Sequence, residues 1–353
     1  MSVEELADNF RGLALEQEYL LFNPPTEHRW LVRTFDEIPR YLFRIQTTRS
    51  NGLTDSNWAK SKDAKNRKPD SIMDIFSQPQ NSVADMLSRH LWWETEDRPH
   101  NFLSWTSSLL FAIQYIFYRF HNDPLSLQDI QIYIVDTTEF PNGVFARDLD
   151  LIKIFSPRNE NLQSLQKLRN RKPTGHSGLY FGEYLSQGAL KIKDKCGFVS
   201  AQDFVGPQLF RLRPEFERAL ETDMGWAKEV VRLREIFYRS AETEGRIGDL
   251  QAAIHLGDLF GGCWALPIVI SLMALRPCRD EDKVLIVREL LTTHGAREAS
   301  RYCDTKRIGS HNERLPEVKL FDEIMLKTYV KSTFELLRAH TSQVQETDDR
   351  SRV

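Results

Sequence analysis

Three short segments, in a fixed order along the chain, carry side chains that could do chemistry together. The first holds Arg44 inside an apolar run, the second holds the hydroxyl pair Ser104 and Thr106, and the third holds Glu183. A guanidinium fork matches a phosphate or a ribose edge, and a hydroxyl can orient a ligand. A fixed carboxylate stabilises positive charge that develops at an anomeric carbon. These residue types therefore favour cleavage of a glycosidic bond in an anionic ligand.

Each of these residues also has an ordinary structural interpretation. A strand arginine usually has a partner on a neighbouring element, here Asp136 or a carbonyl group. Arg49 is either a second anion contact or loop surface. Thr106 or Ser107 would serve equally well as a helix N-cap. Glu183, taken alone, would be a surface carboxylate. The order and context of the segments, rather than any one of them, favour the functional interpretation.

Strands are predicted where these residues would be held. The run 41–45 is rich in aromatic and branched side chains, and 130–135 alternates between apolar and polar positions. Residues 179–192 are typical of a strand, a turn and a second strand, with Gly182 and Gly188 at turn or bulge positions.

Helices are predicted between these strands, over 82–91, 106–120 and 159–169. Residues 50–74 are polar and rich in lysine, which favours a solvated loop. The apolar run 259–275 contains two glycines and a proline and is short for a membrane span, so a buried helix is expected there.

After about Leu212 no strand signal is left, and helices are predicted over 215–253, 281–291 and 318–340. The fold class expected is α+β, with strands and helices first and helices alone afterwards. The predicted division is an N-terminal helical segment over 1–30, including a helix over 3–22, a mixed domain over 31–210, a helical domain over 211–340 and a disordered tail over 341–353.

Bulk properties limit the partners. The net charge of −3 gives no reason to expect a nucleic acid or a membrane surface. The 4 cysteines are widely spaced, and no histidine stands at metal-ligand spacing, so neither a disulfide framework nor a metal site is expected. The N-terminus has no signal-peptide pattern, which favours an intracellular, cytoplasmic protein.

The three segments belong to a longer ordered pattern. Leu42, Phe43 and Arg44 precede Arg49, residues 102–112 run from a strand into a helix, residues 132–136 precede Pro141 and Asn142, and Glu183 precedes Gly188. In this order they resemble the ADP-ribosyltransferase domain of the cholera toxin and heat-labile enterotoxin A subunits, which carries an arginine–serine–glutamate triad. The resemblance covers roughly residues 40–200. It extends to a group of fungal intracellular proteins with a diverged form of this domain.

The resemblance implies a split mixed β-sheet domain and NAD as the substrate. It implies that Glu183 is the catalytic carboxylate, that Ser104 supports it, and that Arg44 contacts the NAD phosphates and ribose. Further cofactor contacts are then expected from Arg49, Thr106 and Tyr184, and Phe111 would be a neighbour of the nicotinamide. A protein acceptor of unknown identity would be the partner of such a transferase.

The sequence also departs from that family. Arginine-modifying members place a Glu or Gln two residues before the catalytic glutamate, where this chain has Phe181. Trp105 replaces the middle residue of the Ser-Thr-Ser segment. Transfer to arginine is therefore not expected. NAD hydrolysis, transfer to another acceptor, and an inactive domain that serves as an interaction scaffold all stay open.

Overall fold

The structure is a computed structural model that describes residues 18–94, 98–171, 179–238, 247–302, 307–309 and 314–350. Over these residues the chain is mixed α/β, with a curled antiparallel sheet followed by helices. The strands are β1 (Tyr19–Leu20), β2 (Tyr41–Thr47), β3 (Leu53–Thr54), β4 (Trp58–Lys60), β5 (Phe102–Thr106), β6 (Ile130–Asp136), β7 (Ala146–Arg147), β8 (Glu183–Lys191) and β9 (Cys196–Ser200).

The strands pair in the order β3-β4-β8-β5-β2-β6-β9, with β1 and β7 also paired to β8. All strand pairs of the described residues are antiparallel, whereas the resemblance implied a mixed sheet. Strand β2 pairs with β6 along its whole length, but in the described residues it meets β5 in register only at Phe43 and Thr106. The two central strands therefore part beyond this pair and leave a gap.

Helices pack against this sheet, and the described chain after β9 contains helices and no further strand. They are α1 (Trp30–Thr34), α2 (Lys62–Lys65), α3 (Gln80–Leu91), α4 (Leu109–Asn122), α5 (Asp148–Phe155), α6 (Glu160–Asn170), α7 (Ala201–Phe204), α8 (Pro207–Leu212), α9 (Glu215–Glu221), α10 (Trp226–Arg234), α11 (Ile247–Asp258), α12 (Ala265–Met273), α13 (Asp280–His294), α14 (Ala296–Tyr302) and α15 (Pro316–Arg350).

One large hydrophobic cluster joins the sheet to the C-terminal helices. It contains Phe43 and Ile113 from the first part of the chain and Leu233, Leu266 and Ile324 from the second. The two predicted domains thus share apolar packing, and the division at residue 210 stays a prediction. Among the described helices, none combines the length and the apolar character that crossing a bilayer requires. Helix α12 is buried, as expected for this run.

Three local predictions are corrected. The helix predicted over 3–22 ends too late, because Tyr19 and Leu20 pair with β8; residues 1–17 lie outside the described residues. The segment 50–74 is not only a loop, since it contains β3, β4 and α2. Residues 183–191 form one strand, in which Gly188 adopts a φ of 65° without ending it.

The tail prediction is also wrong in part. Helix α15 begins at Pro316 and continues to Arg350, so residues 341–350 extend a helix that was expected to end at residue 340. Residues 351–353 lie outside the described residues. The polar composition of this stretch indicated disorder, but a helix that is already nucleated adds each further residue at little cost.

Candidate functional site

Glu183 and Ser104 meet on one face of the sheet. In the antiparallel register of β5 and β8, Thr106 lies opposite Glu183 and Ser104 lies opposite Leu185. Ser104 and Glu183 are therefore diagonal neighbours, which are within reach of each other across a strand pair. The Ser104 hydroxyl donates a hydrogen bond of 2.8 Å to Oε1 of Glu183. The contact that the resemblance implied between these two residues is present.

The turn into β8 depends on Gly182. Its φ is 70°, in the left-handed region that glycine tolerates best. A Cβ at this position would lie 2.3 Å from Oγ of Ser107, whose backbone N–H donates 2.9 Å to the Gly182 carbonyl. Only glycine fits this turn, which sets the direction in which Glu183 enters the strand.

Arg44 extends into the gap between β2 and β5. Its Nη1 donates 2.8 Å to the Ser104 carbonyl and its Nε donates 2.9 Å to Oγ1 of Thr54. Burial lowers the pKa of Arg44 to about 10, which still leaves it charged at neutral pH. Of the two ordinary partners considered, the carbonyl is present, and Asp136 instead pairs with Arg40 at 2.9 Å. Arg44 thus places a cation beside Ser104.

A second arginine, which the sequence did not single out, holds the other carboxylate oxygen. Nη2 of Arg169 donates 2.6 Å to Oε2 of Glu183, and its Nε lies 3.4 Å from Oδ2 of Asp148. Burial raises the pKa of the Asp148 carboxyl to about 7, and the Glu183 carboxylate acts in the same direction against the attraction of Arg169. The sequence predicts a helix that includes Arg169, but helical periodicity does not reveal this contact with another element.

Two histidines complete the hydrogen bonds around Ser104. Nε2 of His90 lies 2.7 Å from Oγ of Ser104, and Nδ1 of His90 lies 2.9 Å from Nε2 of His100. Burial, together with His100 and Arg44, holds the pKa of His90 well below its usual range. The spacing of the histidines argues against a metal site, but spacing alone gives no sign of a hydrogen bond to Ser104.

These residues line a cavity of about 580 Å³, within the range usual for small-molecule sites. Arg44, Ser104 and Glu183 lie on its polar side together with His90 and Arg169. The three residues of the predicted triad therefore share one cavity.

Aromatic rings also line the cavity and form a wall beside the polar groups. Phe181, Phe111, Tyr115 and Tyr118 form a stacked series, with successive centroids 5.5, 5.9 and 5.8 Å apart. Trp226, at the start of α10, packs its edge or face against Phe111, Phe181 and Trp93 at 4.9–5.4 Å. Trp93 and Trp226 both line this cavity, and no motif in the sequence singles out either residue.

Of the other three residues that were expected to contact the cofactor, two line the cavity and one does not. Arg49 lies exposed at the cavity margin. Thr106 lines the cavity, but its hydroxyl donates 2.8 Å to the Phe181 carbonyl and so fastens the turn before β8. Tyr184 does not line the cavity: it is 3 % exposed, in an apolar cluster with Trp105. Because successive strand residues point to opposite faces, Tyr184 must point away when Glu183 points in.

No group of three or more metal-ligating side chains is found in the described part of the chain. A family model described as Domain of unknown function (DUF7587) matches residues 37–189. The match runs from just before β2 into β8, so it contains Arg44, Ser104 and Glu183 and ends before Trp226. Comparison with curated proteins and with solved structures gives no match.

Proposed function

We propose that this cavity binds NAD and cleaves the bond between nicotinamide and ribose, in a diverged ADP-ribosyltransferase-like domain. The protein would then be a mono-ADP-ribosyltransferase or an NAD glycohydrolase. The observation that carries the proposal is the hydrogen bond from Ser104 to Glu183 inside the cavity that Arg44 also lines. A guanidinium, a fixed carboxylate and room for a small molecule are what the chemistry needs.

In the mechanism, Arg44 contacts the pyrophosphate, and Glu183 accepts a hydrogen bond from a hydroxyl of the nicotinamide ribose. The carbon–nitrogen bond to nicotinamide breaks, and its electron pair leaves with the nicotinamide nitrogen. Glu183 stabilises the positive charge that develops on the ribose. An oxygen of water, or another nucleophile, then bonds to the anomeric carbon and releases its proton to solvent.

The aromatic wall supports a ligand with planar rings. Stacked or edge-on contact with an aromatic ring adds about 0.5–1.5 kcal/mol beyond area burial. The series from Phe181 to Tyr118 offers more than one such position along the cavity. A dinucleotide has two planar rings joined by an anionic bridge, which suits a cavity that is lined by both aromatic rings and arginines.

The charges around Phe181 bear on the acceptor. The guanidinium carbons of Arg169 and Arg234 each lie 5.7 Å from the centre of this ring. Both charges are balanced, because Arg169 pairs with Glu183 and Asp148 and Arg234 pairs with Glu317. Phe181 itself has no group that could accept a proton from an arginine acceptor. We therefore favour water or another acceptor over an arginine side chain.

A second candidate function is an inactive domain that serves as an interaction scaffold. One observation favours it: both oxygens of Glu183 already have partners, since Ser104 binds Oε1 and Arg169 binds Oε2. A carboxylate oxygen can accept more than one hydrogen bond, so a ribose hydroxyl can still bind, but the ion pair weakens the negative charge.

The test is nicotinamide release from NAD by the purified full chain, alongside Glu183→Gln and Glu217→Gln. Glu217 is exposed on α9 and does not line the cavity, so its variant controls for the loss of a carboxylate. We expect release by the wild type and by Glu217→Gln, and a loss of at least about a hundredfold in Glu183→Gln. Release at the same rate by all three proteins would mean that Glu183 is not the catalytic carboxylate. No release by the wild type, with or without NAD binding, would favour the scaffold.

A further inference from the structure

The Ser104 hydroxyl is the third group in a hydrogen-bonded series of four. His100, His90, Ser104 and Glu183 follow one another at 2.9, 2.7 and 2.8 Å. The first link joins two ring nitrogens and the second joins a ring nitrogen to the Ser104 oxygen, so the donor and acceptor roles in both depend on where the ring protons are. The last link, the hydrogen bond from Ser104 to Glu183, fixes these roles.

A serine hydroxyl has one proton to donate. Ser104 donates it to the Glu183 carboxylate, so the Ser104 oxygen must be the acceptor toward His90. His90 then carries its proton on Nε2. A neutral imidazole has one N–H, so Nδ1 of His90 is left as an acceptor and Nε2 of His100 donates to it.

The state of His100 agrees with this assignment. With its proton on Nε2, Nδ1 of His100 bears only a lone pair. This atom is buried and has no hydrogen-bond partner in the described structure. Burial lowers the pKa of His100 as it does that of His90, so both rings are neutral at physiological pH.

The His90 ring has little freedom to turn over. The residue is 7 % exposed, and its ring lies 4.6 Å from that of His100 and 5.6 Å from that of Phe102. The backbone N–H of His100 donates a hydrogen bond of 2.6 Å to Oδ2 of Asp63, which holds His100, the first group of the series, in place. The donor at Nε2 is therefore held in place before any ligand binds.

We infer that His90 is a positioning residue of this site: its Nε2–H occupies the acceptor side of the Ser104 oxygen and so directs the Ser104 proton toward Glu183. This inference rests on the proposed function for its kinetic consequence but not for its hydrogen-bond geometry. Without His90 the Ser104 hydroxyl can rotate, and Glu183 spends part of its time without this donor.

The test is a double-mutant cycle on nicotinamide release, with His90→Leu, Ser104→Ala and the combination. We expect His90→Leu to lower kcat about tenfold, the change that one ordinary hydrogen bond supports, with little change in KM. Because His90 acts through Ser104, adding His90→Leu to Ser104→Ala should have almost no further effect. A purely structural role would instead give losses that multiply.

His90→Gln is the conservative variant, because its amide nitrogen can take the place of Nε2 and donate to Ser104. We expect it to recover most of kcat, while His255→Leu, on the exposed side of α11, should match the wild type. Multiplying losses in the cycle, or a Gln variant as slow as the Leu variant, would overturn the inference. If His90→Leu does not fold, the Gln variant and the tautomer measurement below decide it.

The second measurement needs no activity. Nitrogen NMR of histidine-labelled wild type reports the tautomer of each ring, and we expect the Nε2–H form for His90 and His100. The Nδ1–H form at His90 would overturn the inference. Should the wild type release no nicotinamide, the proposed function fails and the tautomer alone decides the role of His90.

Discussion

Arg169 and Glu183 form a largely buried ion pair in which 7 % and 13 % of the two side chains are exposed. The same guanidinium lies beside Asp148, which is fully buried on α5. One cation therefore serves two carboxylates, and it joins two helices to the first residue of β8. This arrangement makes the candidate catalytic carboxylate part of the protein's packing and not only of its surface.

Replacement of Arg169 should lower the stability of the folded protein. Arg169→Gln leaves two carboxylates close together in a buried site, and we expect a loss of about 3–5 kcal/mol in the free energy of unfolding. Arg288→Gln is the matched control, because Arg288 pairs with Glu289 on the exposed surface, where a pair contributes about 0–1 kcal/mol. Urea unfolding of both variants measures the difference.

A double variant, measured in the same way, tests the cause of this loss of stability. Adding Asp148→Asn to Arg169→Gln removes one of the unpaired charges and should recover part of the lost stability. If the two changes are additive instead, charge repulsion is not what Arg169 relieves.

The pH dependence of stability should carry the signature of Asp148. Its folded pKa, about 7, lies above a value of roughly 3.9 in the unfolded chain. Between these values the folded state binds more protons, so the contribution of Asp148 is present at low pH and is lost as the pH rises through about 7. The free energy of unfolding that this residue supplies falls over that window.

Asp148→Asn should remove this dependence, since the amide does not titrate. We expect urea unfolding at pH 5 to 8 to show Asp148→Asn gaining on the wild type as the pH rises. Asp203→Asn, on the exposed surface, corrects for the general effect of removing a carboxylate. A constant difference between Asp148→Asn and the wild type across this range would mean that Asp148 is ionised throughout.

The turn at Gly182 offers a test of how Glu183 is aimed. Gly182 and Gly225 share a φ of 70°, but a Cβ at Gly182 meets Oγ of Ser107 and a side-chain carbon of Leu315, whereas none of the described atoms lies within 4 Å at Gly225. Gly225→Ala should cost about 1 kcal/mol from backbone strain alone. Gly182→Ala should cost roughly 2 kcal/mol more, because the neighbours must also move.

Thermal unfolding measures both variants, and nicotinamide release measures what the shift does to Glu183. We expect Gly182→Ala to lose activity in the folded protein and Gly225→Ala to keep it. Equal losses of stability in the two variants would show that the backbone conformation, and not the close contact, is what requires glycine.

The sequence predicted the position of a residue correctly where that position depends on a single strand or helix. The aromatic and branched side chains around Arg44 predicted a strand that does form β2, and Ser104 and Thr106, two residues apart, lie on one face of β5. Alternation also excludes Tyr184 from the cavity once Glu183 faces it, so the wrong expectation for Tyr184 came from the resemblance and not from the pattern.

The sequence did not predict contacts between segments that are far apart along the chain. His90 and Arg169 lie near the ends of helices, where periodicity indicates a polar face but not its partner. The docking of α3 and α6 onto the sheet selects Ser104 and Glu183 as their partners. The same holds for Trp226, since only the packing of α10 against α4 brings its ring to Phe111.

Trp226 provides the last prediction, because it lies beyond the residues of the family match and yet closes the aromatic wall. Trp226→Leu keeps an apolar side chain but removes the stacking with Trp93 and the edge contacts with Phe111 and Phe181. If a ring of NAD binds along this wall, we expect the affinity for NAD to fall about two- to twelvefold, in line with about 0.5–1.5 kcal/mol for an aromatic pair. Calorimetry measures the change. Trp58→Leu is the control, because Trp58 packs with Lys60 on β4 and does not line the cavity. An unchanged affinity in a folded Trp226→Leu protein would mean that the helical segment supports the wall without contacting the ligand.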